Sequence, residues 1–301
     1  MIEKLKKLLV DPRIRFNYLS RANLLNWMND EEYLKRKYKI FVGRELNLSE
    51  PSTFNEKMQW LKIHDRKPEY AEMVDKYAVK EYVSNRIGEE YIIPSLGVWE
   101  RFEDIDFNAL PDQFVLKCTH DSGGLVICSD KKEFDKDAAR KKINKSLKRN
   151  YYYSGREWPY KDVKPRIIAE QYLDVIDQQA ELVEYKFFCF DGKAKMILVC
   201  KGKAHGAGRT NDYCDLELNR LPFISLNPNS TGKLEMPTEM PEMIRIAEKL
   251  SENIPQLRVD LYLVDGHIYF GELTFFHNSG ICKFEPEEWD QKLGDWIQLP
   301  Q

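Results

Sequence analysis

The chain has 301 residues, 43% hydrophobic and 12% aromatic, which is enough to pack two domains or one elaborate one. Its 46 basic and 49 acidic residues leave a formal net charge of −3. That balance excludes a general nucleic-acid binder, which carries a basic excess or stripe, and a disordered chain, which pairs low hydrophobicity with high net charge.

Residues 1–70 read as helical. Lys4, Lys6, Lys7, Arg13 and Arg15 fit either a solvated helix face or weak association with a membrane surface. Asp30 caps a helix through Glu31, Glu32, Tyr33, Leu34 and Tyr38, broken at Gly43 and by the polar stretch Asn47 to Ser52. A second helix covers Asn55 to His64, with Phe54, Met58 and Leu61 inward. A third is expected from Asp75 to Arg86, ending near Gly88. The run Gln113 to Cys118, the turn Thr119-His-Asp-Ser-Gly-Gly124 and Leu125 to Cys128 read as a hairpin. Asp135 to Asn150 is a basic helix and Arg166 to Leu173 a strand. Tyr185 to Phe190 and Ala194 to Val199 flank Asp191-Gly192, a strong hairpin turn. Residues 201–232, rich in Gly, Asn, Pro and charge, read as a long mobile segment. Pro241 to Leu250 is helical, and Leu257 to Leu263 pairs with His267 to Thr274 across Asp265-Gly266. Pro286 to Trp296 adds a short helix. The whole is α+β, with antiparallel sheets between helices.

No apolar run approaches the ~20 residues that span a bilayer, and the stretch from Met1 to Asp11 lacks the features of a secretory signal. Six cysteines without a Cys-x-x-Cys pair indicate reduced thiols in the cytoplasm.

The chemistry concentrates in residues 258–280. Arg258 and Asp260 share one strand face, and Glu272 and Thr274 share a face of the partner strand. Two carboxylates and a hydroxyl beside an arginine offer the hard oxygen ligands that Mg²⁺ takes together with substrate phosphates. The alternative is a cross-strand ion pair on a wet face, which the surrounding Leu257, Val259, Leu261, Phe270 and Leu273 disfavour. Lys117, inside an apolar strand, precedes a Gly-rich turn whose backbone N–H groups suit phosphate oxygens. A plain turn with a snorkelling lysine is the alternative. Lys76 opens a helix, and Glu170 interrupts an apolar strand. Lys201, Lys203, His205 and Arg209 read as an acceptor clamp on a mobile lid or as a solvated loop. Tyr151, Tyr152, Tyr153, Trp158 and Tyr160 can stack on a sugar or belong to the core.

The order Asp75-Lys76, Phe114-Val-Leu-Lys117 with its Gly-rich turn, Ala169-Glu-Gln-Tyr-Leu173 and Arg258-Val-Asp260 with Gly271-Glu-Leu-Thr274 resembles the ATP-grasp superfamily. With Phe54-Asn-Glu-Lys-Met-Gln-Trp-Leu-Lys62 and Tyr185-Lys-Phe-Phe-Cys-Phe190, the chain from about residue 30 to Pro300 is similar to TupA-like (teichuronopeptide-biosynthesis-type) ATP-grasp proteins of bacterial surface-polysaccharide loci.

The resemblance implies an ATP-grasp fold: two α+β lobes (71–173 and 174–301) holding ATP between antiparallel sheets, preceded by a helical region (1–70). It implies ATP and Mg²⁺, with Lys76, Lys117, Lys186, Ser122, Gly123 and Gly124 on the phosphates and Glu170 toward the adenosine. Asp260, Glu272 and Thr274 would ligate the metal, and Arg258 would stabilise the transferred phosphoryl group. Thr274 replaces the usual Asn, and His277-Asn-Ser-Gly280 replaces a usual Pro-Gly. Asn278, Ser279 and Gly280, with Arg209 and His205, are therefore the candidate acceptor residues. The implied activity is an ATP-dependent carboxylate–amine ligase that joins small molecules, an amino acid and a hexuronic acid, in capsule or surface-polysaccharide synthesis. A glycosyltransferase and a catalytically inactive nucleotide-binding protein are the competing readings.

Overall fold

The computed structural model describes residues 10–173, 183–202 and 208–300. The N-terminal part is helical: α1 (Pro12–Arg21), α2 (Asp30–Val42), α3 (Phe54–His64), α4 (Glu69–Val74) and α5 (Val79–Ile87). Each of the second and third helices starts where its sequence offers a capping oxygen. In α2 that oxygen belongs to Asn29, which accepts from Glu32 N at 2.9 Å; Asp30, expected as the cap, is the first helical residue. Asp30, Glu31 and Glu32 then place negative charge at the positive end of the helix dipole, and Gly43, with φ of 88°, closes the other end. Thr53 and Glu56 form a capping box on α3. The helix expected across residues 75–86 is broken: Asp75 has extended backbone angles and separates α4 from α5. Its Oδ1 accepts from Tyr77 N at 2.9 Å and its Oδ2 takes the Arg166 guanidinium at 2.6 Å.

Next come β1 (Ser95–Trp99), β2 (Phe114–Cys118), β3 (Leu125–Cys128), α6 (Lys136–Leu147), α7 (Tyr152–Gly155) and β4 (Ile167–Gln171). The four strands form an antiparallel sheet in the order β1-β4-β2-β3. The remainder comprises β5 (Val183–Phe190), β6 (Lys193–Lys201), β7 (Thr210–Cys214), α8 (Met240–Leu250), β8 (Gln256–Val264), β9 (His267–Thr274) and α9 (Glu288–Asp295). Its strands make an antiparallel sheet in the order β7-β6-β5-β8-β9. β7 falls inside the segment read as mobile. Its Asp212 is fully buried and accepts from Arg220 Nε at 2.6 Å and Ser230 N at 3.1 Å. The polar composition of that strand is thus satisfied inside the fold.

The five-stranded sheet carries the largest core. Met243, Ile246, Ala247 and Leu250 form the buried face of α8, and this face packs on β5, β6 and β8. Burying each large aliphatic side chain there contributes about 1.5–3 kcal/mol. Phe114, Leu116, Ile143, Ile167 and Ala169 belong to a second cluster under the four-stranded sheet, and Phe16, Tyr33, Leu34 and Tyr38 to a third among the N-terminal helices. All six cysteines are buried and unbridged. No described helix is long and apolar enough to cross a membrane.

Candidate active site

Period-two alternation on β8 and β9 sends Arg258, Asp260, Glu272 and Thr274 to one face, and the register sets Asp260 opposite Glu272 and Arg258 opposite Thr274. On the other side β5 places Lys186 opposite Asp260. The Arg258 guanidinium is the hub. Its Nε donates to Asp260 Oδ1 at 2.6 Å, and its Nη2 donates to Asp260 Oδ2 at 2.7 Å, Glu272 Oε1 at 2.9 Å and Thr274 Oγ1 at 3.0 Å. Lys186 is ion-paired with Asp260 and, at 2.7 Å, with Glu184. Glu184 in turn holds Arg209 Nη2 at 3.2 Å.

Asp260 is fully buried, whereas the Glu272 side chain is 44% exposed. Burial alone would raise the Asp260 carboxyl, but Arg258 and Lys186 outweigh it and hold the group down to about 2. Arg258 Nη1 lies 2.8 Å from His277 Nδ1, so that nitrogen must be the acceptor and the ring proton sits on Nε2. Burial, reinforced by the Arg258 cation, holds His277 well below the ordinary range, in its neutral form.

The second group sits on the four-stranded sheet. Lys117 on β2 and Lys80 on α5 grip the two oxygens of Glu170 on β4, at 2.5 and 2.6 Å. Burial raises the Glu170 carboxyl, yet the two ammonium groups hold it below the usual carboxylate range. Glu170 is thereby paired with both lysines at once. In the Gly-rich turn Ser122 and Gly123 are exposed, and Gly123 takes φ of 114°. Gly124 is buried, and a Cβ there would come within 2.6 Å of Ser146 Oγ. Lys76 Nζ donates to Asp121 O at 2.6 Å, tying the start of α5 to this turn. Tyr151 lies against the Ser122 hydroxyl, and Glu157, burial and the charge of Glu272 together push its phenol up.

Asn278 and Ser279 take positive φ of 47° and 56°, ahead of Gly280. A left-handed pair of non-glycine residues is costly and persists only where the surroundings hold it. Here α3 holds it. Gln59 Nε2 donates to Ser279 O and Gly280 O at 3.0 and 2.6 Å, and the fully buried Lys62 Nζ reaches Ser279 O, Ser279 Oγ and Gly155 O, each at 2.9 Å.

The structure thus gathers Arg258, Asp260, Glu272, Thr274 and Lys186 into one charge cluster, with Arg209 reaching it through Glu184. Lys117 and Glu170 form a second, and Lys76, Ser122, Gly123 and Gly124 share the turn. Asn278, Ser279 and Gly280 form the turn after β9. His205 and Lys203 lie outside the described residues. Sequence reasoning missed Lys80, Glu184 and Lys62. Lys80 had a signal, standing four residues from Lys76 in the helix expected over 75–86; Lys62 shares the inward stripe of Phe54 and Met58.

Among the described residues, no three His, Cys, Asp or Glu side chains converge on a point that could hold a metal. Asp260, Glu272 and Thr274 converge instead on a single cationic atom, Arg258 Nη2, and the half-exposed Glu272 leaves a face open. Such an all-oxygen set fits Mg²⁺ of the kind that one or two carboxylates hold with substrate phosphates.

No curated protein matches the chain significantly in sequence. Solved structures with a similar fold include D-alanine–D-alanine ligase from Bacillus anthracis complexed with ATP, at 15% identity over 88% of this chain and 83% of that one, with a TM-score of 0.42. The D-alanine–D-alanine ligase of Helicobacter pylori is 13% identical over 82% of this chain and 70% of that one, with a TM-score of 0.46. The ATP-grasp ligase PsnB complexed with minimal precursor, Mg and ADP is 12% identical over 80% and 63%, with a TM-score of 0.40. The TupA-like ATP-grasp family matches residues 56–298, from the capping box of α3 to beyond α9 and across both sheets. The chain belongs to the TupA-like ATP-grasp family.

Proposed function

We infer that the chain is an ATP-dependent carboxylate–amine ligase, and that it joins an amino acid to a hexuronic acid in capsule or surface-polysaccharide synthesis. Family membership supports the coarse class, an ATP-dependent ligase. The observation that carries the reading is the convergence of Asp260, Glu272 and Thr274 on the Arg258 guanidinium, beside Lys186.

In this reading a substrate carboxylate oxygen bonds to the γ-phosphorus of ATP while the bond from that phosphorus to the bridging oxygen breaks and ADP departs. The amine nitrogen then bonds to the acyl carbon, the bond to the phosphate oxygen breaks, and the nitrogen loses its proton. Phosphoryl transfer of this kind needs charge neutralisation and alignment more than covalent help.

Asp260, Glu272 and Thr274 would hold Mg²⁺, which supplies positive charge against the phosphate oxygens. Lys76, Lys117 and Lys186 neutralise the remaining phosphate charge, and Glu170 keeps Lys117 in place. Ser122, Gly123 and Gly124 close over the phosphates with backbone N–H groups. Arg258, fixed by four oxygens from Asp260, Glu272 and Thr274, stabilises the charge that develops on the transferred group. Neutral His277 supports Arg258 without adding a competing cation. Asn278, Ser279 and Gly280, with Arg209 and His205, receive the acceptor.

The test is a product assay: Mg-ATP, a panel of UDP-hexuronic acids and mixed amino acids, read by mass spectrometry. ADP with a new mass equal to acid plus amine minus water is expected. Release of UDP without ADP overturns the ligase reading in favour of glycosyl transfer.

A further inference from the structure

Apolar side chains exposed singly on a protein surface are ordinary; a group of them on one element is not. Five of the eleven large hydrophobic side chains exposed among the described residues fall between positions 10 and 27: Val10, Ile14, Tyr18, Leu24 and Trp27. Ile14 and Tyr18 are one turn apart on the outer face of α1, and Trp27, 72% exposed, follows in the turn after it. The opposite face is committed to the fold, with Phe16 buried against Tyr33 at a ring distance of 5.1 Å and Ser20 Oγ donating to Tyr153 O at 3.1 Å. The helix is therefore fixed to the body of the enzyme with Ile14 and Tyr18 turned to water.

Within residues 10–27 the exposed charged side chains are all basic: Arg13, Arg15 and Arg21. The single acid in the stretch, Asp11, is occupied in accepting from the backbone N–H groups of Arg13 and Ile14. Apolar and aromatic side chains flanked by arginines are the composition of a helix that lies in a bilayer interface, the rings at headgroup level and the guanidinium groups against lipid phosphates. A second protein chain would be matched by a face of mixed sign; the three exposed arginines of this stretch are complementary to an anionic surface.

We propose that α1 and the turn to Trp27 form a docking face for an anionic phospholipid bilayer, on which the enzyme works as a peripheral protein. The observation is independent of the ligase reading and stands or falls separately.

The experiment is co-sedimentation of the full chain with vesicles of phosphatidylcholine alone or mixed with phosphatidylglycerol, together with acrylamide quenching of tryptophan fluorescence. Binding to the mixed vesicles, weakened by added salt and accompanied by protection of Trp27, is expected. Each arginine near an anionic surface strengthens binding about five-fold, so the double variant Arg15→Gln/Arg21→Gln should bind roughly thirty-fold more weakly. Trp27→Ser should also weaken binding while leaving thermal stability and ATP turnover intact, since that side chain lies in water. No binding to mixed vesicles at low salt overturns the proposal, as does equal binding to neutral vesicles. A dimer in sedimentation velocity that Trp27→Ser dissolves, without vesicle binding, assigns the face to a second copy and overturns it too.

Discussion

Asp260 and Glu272 face each other across one strand pair, yet the same substitution at the two positions should have opposite consequences. In Glu272→Gln the amide oxygen still accepts from Arg258 and Thr274, and only the charge is lost. That charge is half in water, and exposed pairs of this kind contribute about 0.2–1 kcal/mol. At this chain length the melting temperature should move by about 2 °C or less. In the proposed role of a ligand to the metal and its phosphates, Glu272 should have a larger effect on rate: losing about 4 kcal/mol of charge stabilisation lowers turnover by about a thousand-fold.

In Asp260→Asn the charge is removed where there is no water. Arg258 and Lys186 are then left facing a neutral amide, at a cost of about 3–5 kcal/mol. The assay pairs differential scanning fluorimetry with ADP release under the acid–amine combination found by the product screen. If Glu272→Gln turns over ATP within about three-fold of the parent, or melts as early as Asp260→Asn, the reasoning about this site is wrong.

The acid limb of stability offers a second check on Asp260. Its carboxyl is held down to about 2 from an ordinary 3.8, so its stabilisation is complete above that ordinary value and disappears as pH falls through the lower one. Chemical denaturation should show the parent losing about 2 kcal/mol more than Asp260→Asn between pH 4 and pH 2; parallel curves would contradict the ion pairs. Lys62→Met keeps the volume but strips the donor from Gly155 O and Ser279 O, and should cost about 2–4 kcal/mol. A denaturation midpoint equal to the parent's would show that the turn at Asn278-Ser279 does not depend on α3. Gly123→Ala places a Cβ in open space but at φ of 114°, so stability should fall by about 1–2 kcal/mol and the KM for ATP should rise. An unchanged KM would remove the turn from the phosphate site.

The hairpin of β8 and β9 was legible because its information is local. Alternation fixes which residues share a face, and Asp265-Gly266 fixes the pairing as far as Leu261 with Phe270; a bulge at Gly271 then shifts it by one and sets Asp260 against Glu272. Alternation and one bulge therefore bring four candidate side chains together within a single hairpin. β7 was not legible for the converse reason. Its buried Asp212 looks like a loop residue, and what satisfies it is Arg220 and Ser230, further along the chain. The split between α4 and α5 likewise depends on Arg166, 91 residues from Asp75.

Lys62 takes the argument furthest. Its acceptors lie 93 and 217 residues away, on the α7 turn and the turn after β9. A lysine on the inward stripe of a helix is anomalous in sequence, because an unpaired buried ammonium is costly. The anomaly points to a partner but not to which one. In this fold the partner is the backbone of the candidate acceptor turn. The N-terminal helices are therefore more than a preface to the two sheets: α3 holds the strained turn after β9, and α1, secured by the Ser20 to Tyr153 hydrogen bond, presents Ile14 and Tyr18 among arginines outside. A perturbation of α3 should consequently be read at the acceptor side of the reaction, as a change in acceptor KM, before it is read in the handling of ATP.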